Sequence, residues 1–238
     1  MNMDISDIKK KAAEYAVQFI ESGMIVGLGH GSTAIFAVRR LADLLQNKEL
    51  TDILAIPCSL HIEEEVRQLG IPLTTLDEHS HIDLTIDGAD EVTEKLEVIK
   101  GGGGALLREK MVAQASRREI IVVDNTKLTP VLGTNWPVPI EVIPFGWRFQ
   151  LHYLESLGAH PVLRKDIRGN KFTTDQGNYI LDCYFGPIQQ PEKISNMLNE
   201  RAGIVEHGLF IGLATDVVIA SEEEVRHIKA ETVFPSET

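Results

Sequence analysis

Apolar residues at Ile8, Ala12, Ala13, Ala16, Val17 and Ile20 recur at helical spacing and predict a helix from Ile8 to Ile20, which Gly23 stops. Met24–Leu28 reads as a short apolar strand. Gly29-His30-Gly31-Ser32-Thr33 then leads into a second helical pattern at Ala34, Ile35, Ala37, Val38, Leu41, Leu44 and Leu45. The same alternation continues with a strand at Ile53–Ile56, a helix at His61–Leu69 and an extended link at Leu73–Leu76. A strand at Ile82–Ile86 runs into Asp87-Gly88-Ala89-Asp90. The strand Leu96–Ile99 delivers Lys100 to four consecutive glycines, Gly101 to Gly104. A helix from about Ala105 to Arg117 and a buried strand Ile120–Val123 follow, and then Asp124-Asn125-Thr126-Lys127. Strands alternating with helices imply a parallel sheet covered on both faces, with loops at its C-terminal edge gathering the site.

The pattern changes at the proline-rich stretch Trp136–Pro144, which suggests a domain crossing. Strand Glu141–Ile143, helix Gly146–Leu157 and strand His160–Arg164 are followed by strand Tyr179–Phe185, helix Pro191–Asn199 and strand Ile204–Phe210. Two β-α-β units in series are the signature of a small ferredoxin-like α+β domain. Gly169 and Asp175–Asn178 turn the chain between them, and Asp216–Ala220 reads as a strand returning to the first part. The expected fold class is therefore α/β: a Rossmann-like, mostly parallel sheet with helices on both faces, plus the smaller ferredoxin-like domain. The expected division is 1–135 with 211–238 as the large catalytic domain and 136–210 as the small one. The final stretch Ala230–Thr238 carries few packing signals and is expected to fray.

Composition narrows the chemistry. With 238 residues, 43% hydrophobic and 24% charged, the chain reads as a soluble globular protein. A formal charge of −12 argues against general nucleic-acid affinity, although a small anion responds to the local field of a cleft. Cys58 and Cys183 sit in apolar segments and read as buried free thiols, consistent with a reducing compartment. The N-terminus reads as an amphipathic helix, and no stretch reaches the roughly 20 apolar residues a bilayer span needs. A cytoplasmic location is the default expectation, with neither nucleic acid nor membrane as partner.

Gly27 and Gly29 fit a dinucleotide fingerprint, but Ser32 stands where the third glycine would be, and the strand Ile53–Ile56 ends at Pro57-Cys58-Ser59 with no acidic residue to accept a ribose diol. Nicotinamide binding therefore loses, and no Gly-Lys-Ser/Thr sequence supports a P-loop. A compact phosphate site remains, served by backbone N–H groups and the Ser32 and Thr33 hydroxyls. The glycine loop before the Ala105 helix makes a second anion-binding concavity, with Glu109 about one turn inside the helix. Carboxylates at Asp87 and Asp90 can accept sugar hydroxyl protons, and Lys100 can stabilise a developing oxyanion. Each segment also has a plain structural reading: a flexible glycine turn, Asx-capped turns at Asp87 and Asp90, a solvated Lys127, and packing roles for Thr215 and Asp216. A free glutamate has a pKa of about 4.3, so catalysis at neutral pH does not require a protonated resting carboxylate and Glu109 can begin as a base.

Taken together, these blocks resemble the ribose-5-phosphate isomerases of type A. The matching stretches are Gly29–Thr33, Asp87–Asp90, Lys100–Lys110, Pro137–Pro144 and Gly177–Asp182, spread over nearly the whole chain. The resemblance implies interconversion of D-ribose 5-phosphate and D-ribulose 5-phosphate through a cis-enediolate, without redox cofactor or metal. It implies that Glu109 moves the proton between C1 and C2, and that Asp87, Asp90 and Lys100 surround the open-chain sugar. Gly88 and Ala89 lie in the same block, and Gly101, Gly102 and Gly103 correspond to backbone contacts. His30, Gly31, Ser32 and Thr33 map to the phosphate side, Lys127 to a further binding position and Lys10 to an N-terminal phosphate contact. A homodimer or larger homo-oligomer is implied as well. Two departures bear on specificity: His30 replaces a threonine and could contact phosphate or restrict the pocket, and Pro57–His61 leaves a serine-rich pattern. Another sugar phosphate as substrate, or a silent sugar-phosphate-binding regulatory module, are the alternatives.

Overall fold

The computed structural model describes residues 4–230 of the chain. In order, they form α1 (Ile5–Val17), β1 (Ile25–Leu28), α2 (Ala34–Gln46), β2 (Leu54–Pro57), α3 (Leu60–Gln68), β3 (Leu84–Asp87), β4 (Glu91–Val92), β5 (Val98–Ile99), α4 (Leu106–Ala115) and β6 (Glu119–Asp124). Then come β7 (Val138–Val142), α5 (Phe149–Ser156), β8 (His160–Leu163), β9 (Tyr179–Tyr184), α6 (Pro191–Asn199), β10 (Ile204–His207), β11 (Leu209–Phe210), β12 (Asp216–Ala220) and β13 (Val225–Lys229). A 3₁₀ turn at Asn125–Lys127 closes on the Asp124 side chain, which accepts from the Thr126 N–H at 3.0 Å. All but the first residue of the expected frayed stretch Ala230–Thr238 lies outside the described residues.

Six strands form the main sheet in the order β13-β12-β6-β3-β1-β2. All neighbours pair in parallel except the edge strand β13, which runs antiparallel to β12. β6 shows why this sheet is covered on both faces. Ile120 and Val122 join a core built with α1, α2 and α3, while the intervening Ile121 and Val123 join another that includes Ala113 of α4. With period-two side chains buried on both sides, the strand reads as a continuous apolar run. Pattern reading missed β13 because its residues are half-exposed or exposed and mix Arg226 and His227 with apolar positions.

The second sheet has the order β10-β7-β9-β8, antiparallel throughout, with α5 and α6 connecting its β-α-β units. This is the arrangement expected of a ferredoxin-like unit. The strand before Lys100 departs from expectation. Only Val98–Ile99 is extended, and it belongs to a separate antiparallel sheet, β11-β5-β4. The reason is connection length: a parallel crossover needs a dozen or more residues, and so short a link from β4 permits only an antiparallel return. The expected strand Ile204–Phe210 splits for a related reason. β10 pairs with β7, whereas β11 leaves that sheet to pair with β5.

Candidate active site

The site lies at the C-terminal edge of the parallel sheet, where β1 and β3 end. Asp87 is the last residue of β3 and is buried. Its Oδ1 accepts from the backbone N–H groups of His30 at 3.0 Å and Gly88 at 2.7 Å, and its Oδ2 lies 2.9 Å from Lys100 Nζ. A Cβ at Gly29 would collide with the Asp87 side chain, so glycine is what lets the β1 loop close over it.

Lys100 enters from β5 and spends all three ammonium protons inside the protein: on Asp87, on the Gly88 carbonyl at 2.6 Å and on Glu109 Oε1 at 3.1 Å. Its side chain is only 2% exposed. Burial opposes the charge, but Asp87 and then Glu109 outweigh it, so the ammonium is held well above its ordinary pKa. Glu109 responds in the opposite direction. Burial pushes its carboxyl up to about 8, Lys100 opposes that rise and Asp87 reinforces it. Two buried carboxylates share one cation, and burial works against the ionised form of Glu109. Glu109 Oε2 is buried without a partner.

The helix carrying Glu109 is fixed by the next residue. Lys110 is also buried and reaches Glu206 Oε1 at 2.5 Å and the His207 carbonyl at 2.6 Å, tying α4 to β10. The Phe210 ring lies close to both lysines, its centre 5.6 Å from Lys100 Nζ and 4.9 Å from Lys110 Nζ. Burial, helped by Lys110, lowers the His207 pKa to about 3, which keeps that ring neutral.

The glycine loop turns at Gly101 and Gly104, whose φ angles are 100° and 83°. Two of its N–H groups are used internally: Gly102 donates to Asp90 Oδ2 at 2.7 Å, and Gly104 to the Gly101 carbonyl at 3.0 Å. The loop is thus a weaker anion cradle than expected, and absent side chains matter more. A Cβ at Gly102 would meet the Asp90 carboxylate, and one at Gly103 the His30 ring. Burial raises the Asp90 pKa against the Gly102 hydrogen bond. Arg164, which sequence reasoning missed, donates to the Gly101 and Gly102 carbonyls at 2.8 and 3.0 Å while pairing with Asp182 of β9. No local signal marked Arg164, because its role depends on the second sheet docking against the loop.

One cavity brings together His30, Gly31, Ser32, Thr33, Gly88, Ala89, Asp90, Lys100, Gly101, Gly102, Gly103, Glu109 and Lys127. Asp87 does not line it but stands behind Lys100. Lys127 reaches it from the 3₁₀ turn, its Nζ 4.9 Å from the Trp136 ring centre. Lys10 is the clear correction. Its side chain is exposed and pairs with Glu14, whereas Lys9 lines the cavity and donates to Ser32 Oγ at 3.0 Å. Lys9 flanks the buried stripe of α1, and one residue of helical rotation turns Lys10 to solvent. Thr215 and Asp216 take the structural role. Asp216 is bound by Arg118 at 2.7 and 2.9 Å, and although burial works against its charge, these bonds hold its pKa to about 2.

Cys58 Sγ and oxygens of Asp87 and Glu109 come within 4.8 Å of one another, a spacing that could suit a metal ion. The Lys100 ammonium already supplies a cation to both carboxylates, and burial pushes the Cys58 thiol well up, so this donor set is poorly matched to a second cation.

Residues 54–224 match the family model for ribose 5-phosphate isomerase A (phosphoriboisomerase A). The ribose-5-phosphate isomerase A of Chloroflexus aurantiacus is 53% identical over 229 residues, covering 96% of each chain. Among solved structures, a D-ribose-5-phosphate isomerase in complex with phospho-erythronic acid superposes with a TM-score of 0.93 at 36% identity, covering 95% of this chain and 100% of that one. The ribose 5-phosphate isomerase of Plasmodium falciparum gives a TM-score of 0.92 at 39% identity, with the same coverage.

Proposed function

The chain belongs to the ribose 5-phosphate isomerase A family, and from that premise we propose that Glu109 is the group that carries the proton in its reaction. The protein is an isomerase that interconverts D-ribose 5-phosphate and D-ribulose 5-phosphate. The observation that carries the assignment is the division of labour within one carboxyl group: Oε1 is anchored on Lys100, Oε2 is buried and unpartnered, and Glu109 is among the residues that line the cavity.

With the open-chain aldose in place, Glu109 Oε2 takes the proton from C2. The C–H electron pair becomes the C1–C2 double bond, and the carbonyl pair moves onto O1. Lys100, kept cationic by Asp87, stabilises that oxygen as its charge appears. Glu109 then returns the proton to C1, the O2 hydroxyl proton passes to O1, and O2 becomes the ketose carbonyl. Asp90, with one oxygen fixed by the Gly102 N–H, is placed to exchange hydroxyl protons. A carboxyl whose pKa lies near 8 gives and takes a proton at neutral pH with little loss in either direction. The ligand of the solved relative, phospho-erythronic acid, joins a phosphate to a planar carboxylate, the shape an enediolate would present to these groups.

Lys9, Ser32, Thr33 and the backbone around Gly31 form the phosphate end of this reading, with Lys127 as a further cationic contact. In the division 1–135 with 211–238 and 136–210, the parallel sheet of the first part carries the catalytic residues, and the second part braces the glycine loop through Arg164. A homodimer or larger assembly fits the exposure of Phe145 and Phe149, 89% and 67%. Among the described residues no helix is long and apolar enough to cross a membrane, and buried free thiols at Cys58 and Cys183 fit a cytoplasmic setting. The direct test follows ribose 5-phosphate conversion and solvent-proton incorporation by purified protein with EDTA present. Conversion with exchange is expected; binding without exchange would make the protein a silent receptor.

A further inference from the structure

His30 is the cavity residue whose chemistry the proton-transfer scheme leaves unused. Its ring Nδ1 lies 2.9 Å from Ser59 Oγ. Ser59 is 2% exposed and caps α3, its oxygen accepting from the Ile62 N–H at 3.1 Å. A buried hydroxyl must place its single proton on an acceptor. Among the described residues, the one acceptor recorded within reach of the Ser59 hydroxyl is His30 Nδ1. Ser59 therefore donates to the ring, and the neutral imidazole must carry its own proton on Nε2. Burial, with Asp87 opposing, lowers the ring's pKa and keeps it neutral.

Nε2 has no protein partner among the described residues and faces the glycine loop, where a Cβ on Gly103 would stand 2.5 Å from it. The His30 backbone spans the two ends of the site. Its N–H holds Asp87, which holds Lys100, and two residues later Ser32 meets Lys9. We propose that His30 Nε2–H is a fixed hydrogen-bond donor to a hydroxyl oxygen of the sugar, at C3 or C4 between the phosphate and the reacting carbons, and that Ser59 is the positioning residue that sets its tautomer. This rests on the reading that the cavity holds a pentose phosphate. A shorter threonine side chain could not span from Ser59 to the loop, so the donor is a specificity element of this chain. The neutral ring donates without surrendering its proton, because Ser59 could not remain an alkoxide behind it.

The test uses the full chain labelled with [¹⁵N]histidine. Long-range ¹H–¹⁵N correlation between pH 6 and 8 is expected to find His30 as a non-titrating Nε2–H tautomer. Phospho-erythronic acid should shift that N–H, while inorganic phosphate should not. Ser59→Ala, with folding checked by circular dichroism because the helix cap is lost, should release the single tautomer. His30→Phe should raise KM for ribose 5-phosphate about tenfold, equivalent to about 1.4 kcal/mol, with the loss carried in KM more than kcat. Inhibition by inorganic phosphate should stay unchanged, and His30→Gln, which keeps a donor, should recover part of the loss. An Nδ1–H tautomer, a charged ring, an unchanged KM or an equal loss of phosphate inhibition would each overturn the proposal. Failure of the native protein to isomerise ribose 5-phosphate would instead strike the parent reading, whatever the tautomer.

Discussion

Glu109 Oε1 stands 3.1 Å from Lys100 Nζ, and the other oxygen of the same carboxyl is buried without a partner. Replacing that carboxyl by an amide preserves its size and removes its basicity. Glu109→Gln should fold and retain sugar-phosphate binding while kcat falls by roughly 10²–10⁴, the usual worth of a positioned acid–base group. Loss of label from [2-²H]ribose 5-phosphate into solvent measures this directly, and near-native exchange in the folded variant would remove Glu109 from the mechanism.

Because burial raises the Glu109 pKa to about 8, kcat/KM in the aldose direction should climb with pH and level off above that value. The sign follows from the base being the ionised form. The same shift acts on stability: the folded state holds this proton more tightly than the unfolded chain, so Glu109 stabilises the fold less as pH rises from about 4.5 through 8. Rate profiles from pH 5.5 to 9.5 check the first statement, and a limb confined to the phosphate ionisation near pH 6 would contradict it.

Lys100 is the cation on which two buried carboxylates depend. Lys100→Met should lose activity and destabilise by about 3–5 kcal/mol, as when one partner of a buried ion pair is removed. The penalty should shrink at acid pH, where Asp87 and Glu109 can be neutralised by protons instead. Denaturant unfolding at pH 5 and pH 8 separates this electrostatic cost from lost packing, which would be equal at both.

Lys9 and Lys10 provide a matched pair. Lys9 donates to Ser32 Oγ at the cavity wall, whereas Lys10 pairs with Glu14 on the outer face of α1. Lys9→Met should raise KM by about tenfold through a lost charge-assisted contact of about 1.5 kcal/mol. Lys10→Met should leave KM where it was. The reverse ranking in steady-state kinetics would return the phosphate contact to Lys10.

Glu119, the first residue of β6, is fully enclosed and neither carboxyl oxygen has a partner. Burial raises its pKa well above the usual range, with Asp87 adding to the effect, so the folded state favours the protonated acid and loses stability as pH rises above about 4.5. Glu119→Met should therefore stabilise by about 1–3 kcal/mol at pH 8, the cost of an unsatisfied buried group, and by less at pH 5. Melting curves at the two pH values check it, and a variant less stable than the native protein at pH 8 would reveal a use for the carboxyl.

Some of this protein was settled by the chain read from end to end. Apolar periodicity placed most helices and strands, since burial of one face or both imposes a local spacing, and the glycines of Gly101–Gly104 announced a loop that side chains could not enter. The order of blocks from Gly29 to Lys110 likewise marked the residues that meet in one cavity. Tertiary structure decided what depends on distance along the chain. It sent β5 to a sheet of its own, turned Lys9 inward in place of Lys10, and brought Arg164 from the second sheet onto the glycine loop. It also set the electrostatics: the pKa of Glu109 and the contacts of the His30 ring come from partners contributed by separate elements. Periodicity reports which way a residue faces within its own element, whereas charge and proton position are set by which elements pack together.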